Sequence, residues 1–427
     1  MGKNAAELIQ GFREGKYDDL LMDIYADKSV LDHQRDRYIH ALESFGEIFG
    51  DNEVDIYSAP GRSEVGGNHT DHQRGQVLAA SINLDVIAVC ARADDGLMQV
   101  KSEGYEQVAV NTRALEVDEN EFGTSKSLIR GVAAGLQEKG YKIGGFHAFM
   151  TSEVLGGSGL SSSAAFEVAV GNILSGLYND NSIDAVTIAI AAQYAENKYF
   201  GKPCGLMDQM ASSVGSLVNI DFKNPDEPVI RKVNADFASF GHSLCIVDTK
   251  GSHADLTDEY AAIPVEMKKV AEFFGKDFLR EMDEAELLKN IPAVREAAGD
   301  RAVLRAIHFF EDHNRVTKEV EALEKGSFDR FKELIQESGN SSFKYLQNVY
   351  SNKDVNVQNV SVALALSDLL LRGRGVSRVH GGGFAGTIQA FVPDDVVAEY
   401  KQGIEACFGE GACYVLKVRK YGGMKVL

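Results

Sequence analysis

Residues 156–178 read GGSGLSSSAAFEVAVGNILSGLY, a glycine- and serine-rich turn that runs into a long apolar helix. The preceding GFHAFM, residues 145–150, has the composition of a strand. A strand, a glycine-rich turn and a helix can bind an anion, because the first N–H groups of a helix lack internal partners and its dipole favours negative charge. Serine hydroxyls can cap the helix, bind phosphate oxygens or ligate Mg²⁺. We therefore predict a phosphate-binding loop, with an ordinary serine-capped helix as the alternative.

The same glycines allow a second interpretation, a dinucleotide-binding turn. Gly157 to Ser162 resembles the pattern GxGxxG, and Asp180 follows at about the twenty-residue distance of the ribose-binding acid. Ser162 stands where the third glycine is expected, which weakens this alternative. A P-loop is not indicated, since no Gly-Lys pair in the chain is followed by Ser or Thr.

A dense group of polar residues follows an earlier predicted strand, in SAPGRSEVGGNHTDHQRGQVLAASI, residues 58–82. Polar side chains among glycines directly after a strand are typical of a ligand-binding loop. His69, Asp71 and His72 could also be metal ligands, although His-x-Asp-His in a loop is an uncommon metal site. A polar surface turn is the third interpretation.

Two further glycine-containing stretches occur later in the chain. GKPCGLMDQMASSVG, residues 201–215, sets Asp208 among apolar residues, where a carboxylate is costly unless it is paired or functional. A helix-capping Asp is the alternative there. RVHGGGFAGTIQAFV, residues 378–392, is either a tight turn or a second phosphate-facing loop.

In this order the four stretches resemble the galactokinase branch of the superfamily of galactokinase, homoserine, mevalonate and phosphomevalonate kinases. The resemblance runs from about Val54 to the C-terminus. It implies two α+β domains with mixed sheets and packed helices, and an active site between the domains. It also implies an ATP-dependent sugar kinase that converts galactose to galactose 1-phosphate.

The resemblance also implies a role for particular residues. Asp208 would be the base or charge-positioning group at the anomeric hydroxyl, with Arg62 beside it, and Ser163 and Glu196 would carry Mg²⁺. An arginine within about 4–6 Å would keep the aspartate ionised. The residues expected around the ATP phosphates are Gly157, Ser158, Gly159, Leu160, Ser161, Ser162 and Ser163. The residues expected at the sugar are Asn68, His69, Asp71 and Tyr260.

Asn68 departs from the galactokinase pattern, which has Glu before His-Thr-Asp. An amide can donate as well as accept and carries no charge. We hypothesise that Asn68 still binds the sugar hydroxyl or accommodates a modified group there, such as the carboxylate of galacturonate. N-Acetylgalactosamine and arabinose are further alternative substrates. A non-catalytic sugar sensor and a dinucleotide-dependent enzyme are the alternatives to a kinase.

Composition limits the partners of the chain. Of its 427 residues 63 are Asp or Glu and 44 are Lys or Arg, and the net charge of −19 argues against nucleic acid or an anionic membrane as a partner. Five cysteines without a CxxC pair predict a reducing, cytoplasmic location. A composition change near Asp221 predicts domains at residues 1–222 and 223–427, the first with a helical cover over about residues 1–50.

Overall fold

Helices and strands intermingle along the chain in the computed structural model, which describes residues 2–50, 52–154, 156, 159–225, 227–235, 237–251 and 256–427. The α-helices are α1 (Ala5–Arg13), α2 (Asp18–Tyr25), α3 (Leu31–Phe49), α4 (Ser125–Glu138), α5 (Ser162–Tyr178), α6 (Ala185–Tyr194), α7 (Met207–Val214), α8 (Thr257–Phe273), α9 (Glu284–Ala298), α10 (Asp300–Glu324), α11 (Phe328–Ser341), α12 (Asn359–Leu371) and α13 (Val397–Phe408). The strands are β1 (Lys3–Asn4), β2 (Glu53–Gly66), β3 (Gln76–Ala93), β4 (Leu97–Ser102), β5 (Val108–Asn111), β6 (Gly145–Ser152), β7 (Leu217–Asp221), β8 (Val229–Lys232), β9 (His242–Asp248), β10 (Val376–His380), β11 (Thr387–Pro393), β12 (Cys413–Leu416) and β13 (Met424–Lys425). The predicted α+β class is confirmed.

The chain divides into two compact units. Unit 1 contains Met1–Arg62, Ala80–Ser216 and Lys417–Leu427, and unit 2 contains Ser63–Ala79 and Leu217–Leu416. The division at residue 222 stays a prediction about domains. The compact units differ from it in three places, since Ser63–Ala79 lies in unit 2, Lys417–Leu427 lies in unit 1, and unit 2 resumes at Leu217.

The sheet of unit 1 carries the loop that the sequence singles out. Its strands follow the order β1, β2, β3, β6, β4, β5, and β13 from the C-terminus pairs with β2. Strands β3 and β6 are antiparallel, whereas β4 and β6 are parallel. Strand β6 therefore lies inside the sheet, and its end at Ser152 leads to the loop before α5.

Three N-terminal helices cover one part of this sheet. The apolar positions of α3 recur at helical spacing, and Tyr38, Leu42 and Phe45 are buried in one cluster with Ile56 of β2 and Phe149 of β6. Helices α1 and α2 contribute to the same cluster. The segment for which a helical cover is predicted is thus helical and packed.

The loop before α5 lies directly against strand β2. The N–H of Arg62 donates to the carbonyl of Leu160 at 3.0 Å. A Cβ on the neighbouring Gly61 would lie only 2.8 Å from the same carbonyl oxygen and 2.9 Å from the Val154 side chain. Glycine at position 61 therefore permits this close approach of strand and loop.

Unit 2 contains an antiparallel four-stranded sheet in the order β10, β11, β9, β12. Helices α12 and α13 pack on this sheet, and helices α8, α9 and α10 form a second apolar cluster. The glycine cluster of residues 381–383 begins the turn between β10 and β11, where His380 pairs with Thr387. Within the described residues no helix is both long and apolar enough to cross a bilayer.

Candidate active site

The N-terminus of α5 has no side-chain cap. Ser161 precedes the helix in the left-handed conformation, with φ 59° and ψ 64°, and its side chain makes no hydrogen bond to the first-turn amides. A non-glycine residue in this conformation is strained and typical of functional sites. Ser162 and Ser163 begin the helix, and the apolar side chain of Leu160 is fully buried beneath the turn. The first-turn N–H groups thus have no cap from Ser161, as expected at a phosphate site.

Arg62 and Asp208 form a bidentate ion pair within unit 1. Nε of Arg62 donates to Oδ1 of Asp208 and Nη2 donates to Oδ2, both at 2.7 Å. The third arm, Nη1, donates to the Gly159 carbonyl at 2.5 Å. Arg62 is 8% exposed and Asp208 is 28% exposed, so the pair is mostly shielded from water. The guanidinium thereby ties the phosphate loop to the carboxylate on α7.

The environment of Asp208 keeps its carboxylate ionised. Burial acts to raise the pKa of Asp208, but the charge and hydrogen bonds of Arg62 and the hydroxyl of Ser161 outweigh it, so this pKa lies below its ordinary value. Ser161 donates its hydroxyl to Oδ2 of Asp208. The Ser161 side chain thus hydrogen-bonds to Asp208 rather than capping α5.

Glu196 lies beside the start of α5, on a π-helical turn spanning Ala195–Phe200. Its carboxylate is only 3% exposed. Oε1 accepts from the Ser163 hydroxyl at 3.3 Å and from Nζ of Lys202 at 3.1 Å. The structure thus brings the two predicted magnesium ligands into contact. Lys202, which the sequence argument missed, forms an ion pair with Glu196.

A second buried carboxyl group lies behind these ligands. Glu167 is one helical turn after Ser163 on α5 and is fully buried. Nε2 of Gln209 bridges the carboxylates, 3.1 Å from Oε2 of Glu167 and 2.7 Å from Oε2 of Glu196. Burial, then the charge of Glu196, raises the pKa of Glu167 well above its ordinary value. The signal was present in the sequence, since position 167 lies on the same helical face as Ser163.

Three of the predicted sugar residues converge on the glycine turn of unit 2. Asn68 Nδ2 donates to the Gly381 carbonyl at 2.7 Å, and the Tyr260 hydroxyl donates to the Gly383 carbonyl at 2.5 Å. His69 Nε2 lies 3.1 Å from the Gly382 carbonyl. A Cβ on Gly382 would lie 2.3 Å from the Tyr260 ring. Side chains of Asn68, His69 and Tyr260 therefore hold the carbonyls of this turn in place, and glycine at position 382 leaves room for the Tyr260 ring.

The imidazole of His69 is neutral and has one unused nitrogen. Burial, then the proximity of His72, lowers the pKa of His69 to about 3. Nε2 must carry the proton, because it faces the carbonyl of Gly382. Nδ1 is buried and finds no hydrogen-bond partner among the described residues. Nδ1 can therefore accept a hydrogen bond from a ligand.

Asp71 lies at the start of a short 3-10 turn, Asp71–Gln73, and is partly exposed. Its Oδ1 accepts from the backbone N–H of His72 at 2.9 Å. The rings of His69 and His72 stack at 5.6 Å. In the described part of the chain no group of three or more His, Cys, Asp or Glu side chains is arranged to hold a metal ion, so the structure does not support the alternative of a metal site in this loop.

The predicted loop residues are only partly accounted for. Gly157 and Ser158 lie outside the described residues. Gly159, Leu160 and Ser161 contact Arg62 or Asp208 as described above, while Ser162 and Ser163 form the first turn of α5.

Two family models match this chain, both on stretches that carry the site. "GHMP kinases N terminal domain" matches residues 127–216 and "Galactokinase galactose-binding signature" matches residues 43–92. Galactokinases of Actinobacillus pleuropneumoniae, serotype 3 (strain JL03) and serotype 5b (strain L20), are each 29% identical over 378 residues, covering 85% of this chain and 91% of the relative.

Solved structures share the fold. A Lactococcus lactis galactokinase complexed with galactose has a TM-score of 0.77 and 23% identity, over 90% of this chain and 98% of its own. A Methanococcus jannaschii mevalonate kinase has a TM-score of 0.60 and 16% identity, over 85% and 98% of the two chains. At these identities the likeness concerns the fold.

Proposed function

Because the chain belongs to the GHMP kinase superfamily and carries the galactokinase signature, we propose that it phosphorylates the anomeric hydroxyl of galactose, with ATP as co-substrate. The resemblance predicted from the four motifs is confirmed by these matches and by the 29% identical galactokinases. The observation that carries the proposal is the bidentate pair of Arg62 and Asp208 beside the N-terminus of α5. Nothing in the comparisons favours the sensor, the dinucleotide enzyme or another sugar.

The chemistry assigned to this pair is phosphoryl transfer. The anomeric oxygen attacks the γ-phosphorus, the bond from that phosphorus to the oxygen bridging to the β-phosphate breaks, and ADP leaves. Since Asp208 is held ionised, its carboxylate can orient the hydroxyl and take its proton as the new bond forms. Arg62 would stabilise the negative charge that spreads over the transferred group.

We propose that the first-turn amides of α5, with Gly157 to Ser163, cradle the β- and γ-phosphates. Mg²⁺ fits Ser163 and Glu196, because a hydroxyl and a carboxylate oxygen 3.3 Å apart are hard oxygen donors that can share one ion. When bound there, the ion would neutralise phosphate charge. Lys202, whose side chain is 64% exposed, can move away from Glu196 when another cation takes its place.

The sugar contacts belong to the proposal in the same way. His69, Asp71 and Tyr260 would form the sugar side, together with Asn68. The support is the convergence of three of these side chains on the glycine turn, and the unused acceptor of His69. A cytoplasmic location stays a prediction from composition.

The test is ADP release with ATP and Mg²⁺ across galactose, N-acetylgalactosamine, arabinose, galacturonate and glucose. Asp208→Asn keeps the shape of the side chain and removes its charge, so we expect kcat with galactose to fall about 10²- to 10⁴-fold. Asp94→Asn is the matched control, because Asp94 is 94% exposed and the arginine paired with it is 3.7 Å away. If none of these sugars supports ADP release, or if the rate is unchanged in Asp208→Asn, the proposal is contradicted.

A further inference from the structure

Asn68 is fully buried and every hydrogen-bonding site of its side chain is taken by unit 2 itself. Nδ2 donates to Oε1 of Glu64 at 3.1 Å and to the Gly381 carbonyl at 2.7 Å. Oδ1 accepts from Nδ2 of Asn348 at 2.8 Å and from the Ser342 hydroxyl at 3.2 Å. An amide has two donor hydrogens and two acceptor lone pairs, so none is left for a ligand.

These partners also fix the orientation of the amide. If it were flipped, its oxygen would face the carboxylate of Glu64 and the Gly381 carbonyl, both of which only accept. The backbone is held as firmly: the Asn68 N–H donates to Oδ2 of Asp312 at 2.8 Å, and His308 Nε2 donates to the Asn68 carbonyl at 2.9 Å. Asn68 therefore connects its loop to helix α10 and to the glycine turn after β10.

A buried carboxylate, that of Glu64, lies four residues before Asn68. Nη2 of the fully buried Arg378 donates to Oε1 of Glu64 at 3.0 Å and to the carbonyls of Glu64 and Val65. The same carboxylate oxygen accepts from Asn68. A second carboxylate at position 68 would lie against the first, which is strongly unfavourable in a buried site.

Two unsatisfied acceptors flank Asn68, whereas the unsatisfied donors Nε and Nη1 of Arg378 belong to a guanidinium that is already paired with Glu64. Nδ1 of His69 and Oδ1 of Asn348 are buried and find no partner in the described ranges. Asp71, partly exposed, adds a carboxylate. Acceptors are satisfied by hydroxyl groups, whereas an ionised carboxylate has no hydrogen to donate and would be repelled by Asp71.

We propose that Asn68, held by Glu64, is a positioning residue that braces His69 through the glycine turn, and that the site selects neutral sugars over uronates. This inference rests on the proposed sugar kinase function and makes it more specific. The sugar donates hydroxyl hydrogens to His69 and Asp71, while Asn68 holds the backbone that presents them. The change from Glu to Asn at position 68 is then compensated inside the protein by Glu64.

The test exchanges charge between the two side chains at constant shape. Asn68→Asp creates a pair of buried carboxylates and should raise KM for galactose about tenfold or more, because misplacing a binding group by about 1 Å is that costly. KM for ATP should stay within about twofold, as a purely local effect requires. Adding Glu64→Gln supplies a donor to the new carboxylate at position 68 and removes one of the two charges, so the double variant should recover part of the wild-type KM and Tm. Recovery is incomplete because the carboxylate still faces the Gly381 carbonyl, which only accepts. Asn352→Asp, at an exposed position of unit 2, is the control and should change nothing.

Sugar preference separates a brace from a ligand. Wild-type enzyme should phosphorylate galacturonate with kcat/KM at least about 100-fold below that for galactose, as expected when a polar site is left unpaired. That ratio should be the same in all active variants. A changed ratio in Asn68→Asp without recovery in the double variant, or efficient use of galacturonate by the wild type, would overturn the inference.

The outcome remains interpretable if a variant folds poorly. Should Asn68→Asp lose its cooperative thermal transition, return of that transition in the double variant still supports the brace, and its absence contradicts it. If the wild type releases ADP with none of the sugars, the proposed function fails. The double-mutant cycle in Tm still tests the coupling of Glu64 with Asn68.

Discussion

Replacing Arg62 with lysine keeps the positive charge but removes the planar fork that holds Asp208. The guanidinium makes two hydrogen bonds of 2.7 Å to the carboxylate and a third, of 2.5 Å, to the Gly159 carbonyl. An ammonium group on a flexible stem can aim at one of these partners but cannot reproduce the parallel pair. Arg62→Lys should therefore loosen both the carboxylate and the loop.

The size of the effect follows from the number of bonds lost. A hydrogen bond to a charged group contributes roughly 1.5–3 kcal/mol, and at least one bond to Asp208 and the bond to Gly159 disappear. At 8% and 28% exposure the two side chains are little screened by water. A loss of about 3 kcal/mol corresponds to a fall in kcat/KM of about 100-fold.

The assay is steady-state ADP release with galactose between about pH 4 and 9, a range that spans both sides of the usual optimum. Burial raises the pKa of Asp208 and Arg62 lowers it to a position below the ordinary value. A weaker partner lets the pKa of Asp208 rise, so the carboxylate is protonated at higher pH and the acidic limb of the kcat/KM profile shifts to higher pH. Arg92→Lys is the control, since Arg92 is 62% exposed. A variant at position 62 with kcat/KM within about threefold of wild type and an unmoved acidic limb would refute the reasoning.

Three further substitutions test other parts of the structure. Glu196→Gln removes the one carboxylate assigned to the metal, so the Mg²⁺ concentration for half-maximal rate should rise about tenfold or more in a titration at fixed ATP. Asp85→Asn leaves Arg37 and Arg419 buried without the carboxylate they share, which lies 2.9 and 3.0 Å from them, and should lower the free energy of unfolding in urea by about 3–5 kcal/mol near pH 7. Burial raises the pKa of Asp85, but the two arginines keep it below its ordinary value. The difference in stability between wild type and variant should therefore shrink as the pH falls below about 4. Burial, then the charge of Asp312, raises the pKa of Glu319 from 4.5 to about 8. The wild type should therefore lose stability as pH rises across that window, while Glu319→Gln should show no such loss in Tm; parallel pH curves would contradict this.

Local chemistry was enough to predict the turn and the helix that form the proposed phosphate loop. Glycines and serines between a strand and an apolar helix can do little other than form a tight turn at a helix N-terminus, and α5 begins at Ser162 as that pattern requires. The pairing of Arg62 with Asp208 came only from the resemblance to a family. Their separation of 146 residues leaves no local signal for the contact.

What the sequence could not predict depends on distant partners. Asn68 has the composition of a ligand-binding residue, yet its side chain is occupied by groups 274, 280 and 313 residues away. Hydrophobic periodicity reports which face of an element is buried and not which polar group meets it there. The exchange of segments between the units has the same origin, since β13 joins β2 through pairing across the length of the chain.

The net charge of −19 poses a problem for an enzyme that binds a polyanionic nucleotide, and local electrostatics resolve it. Three carboxyl groups, Glu167, Glu196 and Asp208, surround the start of α5. Asp208 is neutralised by Arg62 and Glu196 is paired with Lys202. Burial and then the charge of Glu196 raise the pKa of Glu167 well above its ordinary value, which favours the neutral acid. With two carboxylates paired and the third favouring its neutral form, the field of the helix N-terminus is less opposed, which favours the proposed binding of phosphate there.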